Sequence, residues 1–213
     1  MFRHVFTLLT AALATDAGAQ TSLPCAPTPA YLAVPPPVVV VDDLVERTET
    51  IEIAGPLETV LDVVNSTELE DAVAESDLPH VVGTRPLTEG AFGMEGTRRL
   101  VCLSDGSTVL EQVLVRDRTE TAYHFRYVVW NYTTPQADAI DYGVGDFLIT
   151  ATSDTATRLE WSYGFKLKPG NFPGNLGPLG GPLFRLAFLD RAYANMMRAT
   201  LEGYRASAET SNR

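Results

Sequence analysis

Residues 183–206, LFRLAFLDRAYANMMRATLEGYRA, read as one long helix. At 100° per residue, Arg191, Asn195, Arg198, Glu202 and Arg205 share a polar face. Leu186, Leu189, Tyr193, Met196, Met197, Thr200 and Tyr204 fall on the opposite face. A stripe of that kind packs on a sheet. Its two adjacent methionines and two tyrosines also suit the wall of a deformable pocket, because thioether chains adapt to irregular shapes.

Upstream lies the sheet such a helix needs. Residues 46–54 alternate as a strand, with Thr48, Thr50 and Glu52 on one face and Glu49, Ile51 and Ile53 on the other. Gly55-Pro56 opens a helix, since proline is tolerated at the first helical position. Leu57, Val60, Leu61 and Val64 give that helix one apolar face. A second short helix is expected over 68–75. A meander follows, with strands expected near 79–88, 96–104, 107–116, 121–132, 138–152 and 156–168. A loop over 169–182, holding five glycines and four prolines, separates the last strand from the long helix. The expected class is α+β, with no internal repeat and no second domain.

Ser104-Asp105-Gly106-Ser107 marks the clearest turn, an Asp-Gly pair fitted to a type I′ hairpin. Ser104 then pairs with Ser107, Val101 faces Leu110, Leu103 faces Thr108 and Arg99 faces Gln112. Cys102 with Val109, Leu100 with Glu111 and Arg98 with Val113 share the other surface. Along the next strand Tyr123, Phe125, Tyr127 and Val129 alternate with His124, Arg126, Val128 and Trp130, and the aromatic set is taken as the inner one. The inner surface then carries Val101, Leu110, Leu114, Tyr123, Phe125 and Tyr127, with Arg99 and Gln112 as its polar groups. Arg98, Glu111 and Arg126 form a charged cluster outside. The opposite register buries Glu111 with Arg126 instead.

Leu159, Trp161, Tyr163, Phe165 and Leu167 alternate along the last strand and face the same interior. An apolar, aromatic interior with one or two polar groups is how small-molecule pockets are lined. The candidate ligand-binding set is Arg99, Gln112, Tyr127, Trp161, Tyr163, Leu189, Tyr193, Met196 and Met197. An Arg99 that snorkels to solvent at the mouth, with no ligand, is the plain alternative.

The chain has 213 residues, with 27 acidic against 16 basic side chains and a net charge of −11. Phosphate backbones repel such a chain, so no nucleic-acid partner is expected. Two cysteines and three histidines are too few for a zinc cluster, and neither a metal nor a cofactor is expected. The sequence contains no G-x-S-x-G elbow, P-loop, H-E-x-x-H or G-x-G-x-x-G; Gly143-Val144-Gly145 stops short of the last. Asp141 and Asp146 would serve as acid or base only if buried, and an exposed edge is expected for both. His80 and His124 are expected at the solvated surface.

The N-terminus reads as an address. Arg3 and His4 precede an apolar run over residues 5–14, and Ala17-Gly18-Ala19 supplies the small residues a signal peptidase reads. Ten helical residues span about 15 Å, half a bilayer core, so residues 1–19 are expected to be a signal peptide cleaved after Ala19. No integral membrane segment is expected after cleavage, and the mature protein is expected to be periplasmic or secreted. Residues 20–43, rich in proline, form a stiff extended leader. Residues 44–207 form the folded domain and 208–213 a disordered tail. In an oxidising compartment Cys25 and Cys102 either pair or stay separate thiols, Cys102 then filling its strand as a small hydrophobe.

The order strand, two short helices, six-strand meander, Gly/Pro loop and long helix resembles the START/Bet v 1-like (SRPBCC) superfamily. Within it the chain is similar to the polyketide cyclase/dehydrase and lipid-transport family. The similar stretches are Ile51-Glu52-Ile53-Ala54-Gly55-Pro56 through Val60, then Gly96-Thr97-Arg98-Arg99, Asp105-Gly106, Glu111, Tyr123 and Thr157-Arg158-Leu159-Glu160-Trp161. The resemblance implies a helix-grip fold, in which a curved antiparallel sheet of six to seven strands wraps the long helix and leaves a cavity between. It implies a hydrophobic ligand such as a lipid, sterol or polyketide, and it supplies no shared catalytic residue. The loop at 169–182 falls where such folds have their cavity entrance, so a mobile lid is expected there.

The leading expectation is an exported binding or transport protein for a hydrophobic small molecule. The alternatives are a cyclase/dehydratase-type enzyme, in which Arg99 or a buried tyrosine polarises a carbonyl, and an interaction domain whose filled core leaves no cavity.

Overall fold

The computed structural model describes residues 25–73 and 78–211. The expected signal peptide, the end of the second expected helix and the last two residues lie outside them.

Seven strands form one antiparallel sheet in the order β1-β7-β6-β5-β4-β3-β2. They are β1 (Val45–Ala54), β2 (Val81–Pro86), β3 (Arg98–Leu103), β4 (Thr108–Arg118), β5 (Ala122–Trp130), β6 (Ile140–Ser153) and β7 (Ala156–Leu167). Helix α1 (Pro29–Leu32) lies in the leader, and α2 (Leu57–Ser66) and α3 (Leu69–Ala72) follow β1. In α2 the expected apolar face is realised, with Leu57, Val60 and Leu61 buried. The chain then closes with α4 (Gly180–Phe184), a π-helical stretch over Arg185–Tyr193, and α5 (Ala194–Ser211). These three run on as one long helix against the concave face of the sheet. This is the helix-grip arrangement.

The long helix departs from its expected stripe at one point. Leu186 is 62% exposed, while Phe184 and Leu189 are buried and Phe188 packs beside them. The stripe assumes a uniform α-helical repeat, whereas the π turns bond i to i+5 and widen the helix, which rotates Leu186 out of the apolar face. Further on, Met196, Met197, Thr200 and Tyr204 are buried as the α-repeat demands. The helix also continues through Ser211, so residues 208–211 are helical, not the start of a disordered tail.

The β3–β4 turn differs from the expected two-residue hairpin. Three residues, Ser104-Asp105-Gly106, are closed by the Leu103 N–H on the Ser107 carbonyl at 2.9 Å, and Gly106 sits at φ 82°. The Asp105 carboxylate organises the turn by accepting from the Ser107 N–H at 2.9 Å. A three-residue loop ending in a left-handed glycine moves the pairing by one place, to Arg99↔Glu111, Leu100↔Leu110 and Val101↔Val109. Because side chains alternate, that single step carries Glu111 inside and Leu110 and Gln112 to the convex face. A bulge between Val113 and Val115 then leaves Leu114 packed on the convex side.

The expected Arg98–Glu111–Arg126 cluster therefore does not form, nor does its alternative, a Glu111–Arg126 pair. Arg126 pairs with Asp146 at 2.5 Å. His124, expected to be simply solvated, contacts the same carboxylate at 2.9 Å. Asp146 thus lies on the convex face, away from the interior.

The convex face carries a second core of Leu100, Cys102, Leu110, Val128, Trp130, Tyr142 and Val144. Cys25, Tyr31, Leu32, Val34, Val39 and Leu44 of the leader pack onto it, so the leader is a strap rather than a free spacer. Thr28 caps α1 by accepting from the Tyr31 N–H at 3.2 Å. Arg98 donates to the Val34 carbonyl at 3.0 Å and stacks over Trp130. The Tyr31 hydroxyl donates to the Asn131 carbonyl at 2.8 Å. A disulfide joins Cys25 to Cys102 in β3, with their Cα atoms 5.7 Å apart.

Candidate functional site

Between the concave face, α2, α3 and the long helix lies a cavity of about 640 Å³. Strands β3 and β4 contribute Arg99, Val101, Val109 and Glu111, and β5 contributes Tyr123, Phe125, Tyr127 and Val129. Phe147 of β6, Trp161 and Tyr163 of β7, and Tyr132 complete the floor. The long helix closes the roof with Tyr193, Met196, Thr200 and Tyr204. At the mouth stand Asn65, Thr67 and Leu69, then His80, and the loop residues Ala91, Phe92 and Gly93.

No residue of the 169–182 loop lines the cavity, so the expected lid is not there. That loop leaves β7, next to the β1 edge, whereas the cavity lining extends to Val81, Thr84 and Pro86 of β2 at the far edge of the sheet.

The floor is hollow for a local reason. Gly143 and Gly145 of β6 face the cavity without side chains, and the tyrosine rings lie down over them. A Cβ at Gly143 would come 2.7 Å from the Tyr132 hydroxyl and 2.8 Å from that of Tyr163. A Cβ at Gly145 would come 2.1 Å from Cζ of the Tyr127 ring. The short Gly-Val-Gly sequence is thus a pair of notches for aromatic rings. Tyr163 and Tyr193 pack with ring centroids 4.9 Å apart, and Phe147 stacks on Trp161 at 4.9 Å. The Tyr132 and Tyr163 hydroxyls approach to 3.5 Å.

Burial raises the phenols of Tyr127, Tyr163 and Tyr193 well above the ordinary tyrosine value, and Tyr132 upward as well. Tyr204 is pushed up to about 12 by burial, with Arg99 pulling the other way. All five are therefore neutral hydroxyls near pH 7, able to donate to a ligand oxygen. The Trp161 indole N–H lies near the Tyr127 hydroxyl without forming a well-aligned hydrogen bond.

Among the described residues, the charges inside are one ion pair. Arg99 Nε meets Glu111 Oε2 at 2.5 Å, with side chains only 15% and 5% exposed. Phe92 lies over the guanidinium at 3.8 Å from the ring centroid. A buried charge is tolerated when its partner is in place, and the shifted β3–β4 register supplies that partner.

Of the expected ligand-binding residues, the structure brings Arg99, Tyr127, Trp161, Tyr163, Tyr193 and Met196 together around the cavity. Gln112 is on the other face of the sheet. Leu189 and Met197 are fully buried in the core and do not line the cavity, because they point between the helix and the sheet. Sequence reasoning missed Glu111 through the one-place register error and Phe92 because its loop has no periodic pattern. Tyr132 was missed because it lies beyond the regular part of β5. Thr200 and Tyr204 are on the expected helix stripe, so spacing alone makes them recoverable. Among the described residues, no three His, Cys, Asp or Glu side chains gather as a metal site.

The profile of a family described as polyketide cyclase/dehydrase and lipid transport matches residues 45–209. The chain belongs to that family. Its match begins with β1 and ends in α5, covering the whole sheet and helix around the cavity. No curated protein sequence matches the chain significantly. Among solved structures, the fold is similar to the aromatase/cyclase Zhui of Streptomyces sp. R1128, at 14% identity and a TM-score of 0.53, covering 79% of this chain and 95% of that one. It is similar to the di-domain aromatase/cyclase StfQ of the steffimycin biosynthetic pathway, at 16% identity and a TM-score of 0.57, over 81% of this chain and 53% of that one. The Bacillus cereus protein XoxI shares the fold at 18% identity and a TM-score of 0.51, over 79% of this chain and 98% of that one. Likeness at these identities concerns the fold. Family and fold together make this a hydrophobic-ligand-binding architecture of the SRPBCC superfamily, and no helix among the described residues is long and apolar enough to cross a membrane.

Proposed function

We propose that this protein is an exported carrier that holds a hydrophobic small molecule between the sheet and the long helix. The observation that carries this reading is the aromatic-lined cavity of about 640 Å³. A filled-core interaction domain would have no such space. Burying about 300 Å² of apolar ligand surface at ~25 cal/mol per Å² is worth about 7 kcal/mol before ordering costs, so binding needs no covalent chemistry. Aromatic rings from Tyr123, Phe125, Tyr127, Phe147, Trp161 and Tyr163 line the sheet side, which favours ligands with flat, apolar bodies.

Export is supported by the N-terminal apolar run with its Ala17-Gly18-Ala19 site and by a disulfide, since such bonds persist in oxidising compartments. The mass of the protein recovered from cell fractions tests it. A chain beginning at Gln20 outside the cytoplasm is expected, and an intact cytoplasmic chain would remove the export reading.

Native mass spectrometry before and after organic extraction tests the carrier reading. A co-purifying apolar mass that disappears on extraction is expected. A clean unliganded mass, with no uptake of an added sterol, fatty alcohol or polycyclic phenol, would overturn it.

A second reading is favoured by the paired Tyr132 and Tyr163 hydroxyls, 3.5 Å apart, beside the Arg99–Glu111 pair. Neutral hydroxyls this close could donate to a developing oxyanion in a cyclase/dehydratase-type reaction. Replacing Arg99 separates the two: a carrier loses affinity or selectivity, and an enzyme loses turnover.

A further inference from the structure

Resting on the carrier reading of the cavity, we infer that the site selects uncharged ligands, and that Glu111 is the residue that turns carboxylates away.

Besides the tyrosines, the charged and titratable side chains along the described lining are Glu68, His80, Arg99, Glu111 and Arg116. Glu68 and Arg116 are exposed and His80 half-buried, all at the mouth. Only Arg99 and Glu111 stand among the described lining residues as charges in the interior. An apolar cavity with a lone arginine would be a receptor for an acid, with the carboxylate taking the guanidinium edge. Here that edge is already taken: Arg99 Nε donates to Glu111 at 2.5 Å, and Phe92 covers the guanidinium face at 3.8 Å. An incoming carboxylate drawn to Arg99 would stand beside the Glu111 carboxylate. Two anions sharing a desolvated site repel one another strongly.

The effect of Glu111 reaches beyond its partner. Its negative charge acts on Tyr127, Tyr132 and Tyr193, in each case adding to what burial does, while Arg99 opposes it at Tyr127 and acts on Tyr204. The floor of the cavity, where a ligand's polar end would meet the tyrosine hydroxyls, therefore feels the negative end of the pair. A carbonyl, alcohol or phenol on the ligand meets only neutral donors there. The register that places Glu111 inside is thus also what sets ligand charge.

The test uses 1-pyrenebutanol and 1-pyrenebutanoic acid, which share a flat apolar body and differ in charge at neutral pH. Binding of each to the purified mature protein, beginning at Gln20, is measured by fluorescence titration, with the wild type, Glu111→Gln and Arg99→Gln. The wild type is expected to prefer the alcohol by about tenfold or more. Glu111→Gln keeps an oxygen for the Arg99 N–H and leaves the cation free, so the preference is expected to shrink at least about tenfold or reverse. Arg99→Gln leaves the anion alone and is expected to widen it, so either variant suffices if the other does not fold. Equal affinities in the wild type, or a ratio unchanged in Glu111→Gln or moved the wrong way in Arg99→Gln, would overturn the inference. If neither probe binds and the native mass spectrum is also clean, the carrier reading itself falls, an outcome distinct from binding without charge selection.

Discussion

Arg99 of β3 and Glu111 of β4 are paired across the strands inside the cavity, Nε to Oε2 at 2.5 Å. The pair is both the polar centre of the site and a point of structural risk, since each partner is held by the other. Removing one member leaves an uncompensated buried charge. Glu111→Ala is expected to destabilise the fold by about 3 kcal/mol, whereas Arg99→Met combined with Glu111→Leu is expected to be much closer to wild type. A double-mutant cycle by urea unfolding checks this. Additive single effects would show that the two side chains do not depend on each other.

Gly145→Ala is expected to cost about 1–3 kcal/mol and to abolish ligand uptake. The added methyl would occupy the space of the Tyr127 ring, so the ring must tilt into the cavity. Thermal unfolding and a binding titration on the same sample read both effects. Unchanged binding would mean that the notch is not what keeps the floor open.

The helix register gives a contrast within one turn. Leu189→Ala is expected to cost about 2–5 kcal/mol because Leu189 is fully buried, and Leu186→Ala only about 0.5 kcal/mol because Leu186 is 62% exposed. Similar losses at both positions would contradict the π-helical stretch.

The disulfide between Cys25 and Cys102 closes 77 residues of chain separation. Its reduction is expected to remove about 2–5 kcal/mol and to release the leader from Trp130 and the convex core. Melting with and without reductant, followed by the fluorescence of the tryptophans, measures it. Identical melting temperatures would show that the strap is held without the bond.

Alkaline stability follows from the buried phenols. Their folded values lie above the ordinary 10.0, so the fold binds protons that the unfolded chain releases. The stabilisation is complete below pH 10 and is lost as pH rises, through about 12 for Tyr204 and beyond for the deeper tyrosines. Absorbance at 295 nm should show these tyrosinates appearing together with unfolding, and free titration of all tyrosines near pH 10 in the folded protein would count against their burial.

Much of this architecture is present in the sequence because it depends on short-range repeats. The alternation of Ile51 and Ile53, of Tyr123, Phe125 and Tyr127, and of Trp161, Tyr163 and Phe165 marks strands and their inward faces. The 100° spacing of Met196, Thr200 and Tyr204 marks the helix that faces them. Six of the nine expected ligand-binding residues line one cavity because alternation and helical spacing report which side of an element a residue is on.

The tertiary structure decided what those repeats do not encode. A turn of two residues after Ser104 or of three after Leu103 determines whether Gln112 or Glu111 faces the interior. The same holds for the π turns that expel Leu186, which periodicity cannot register because they break it. The leader's course was equally invisible, since Pro27 and Pro29 restrict its backbone but do not say which apolar surface it covers. Which face of β3 it straps, and which anion accompanies Arg99, depend on contacts between residues far apart in the chain, and these exist only once the sheet has closed.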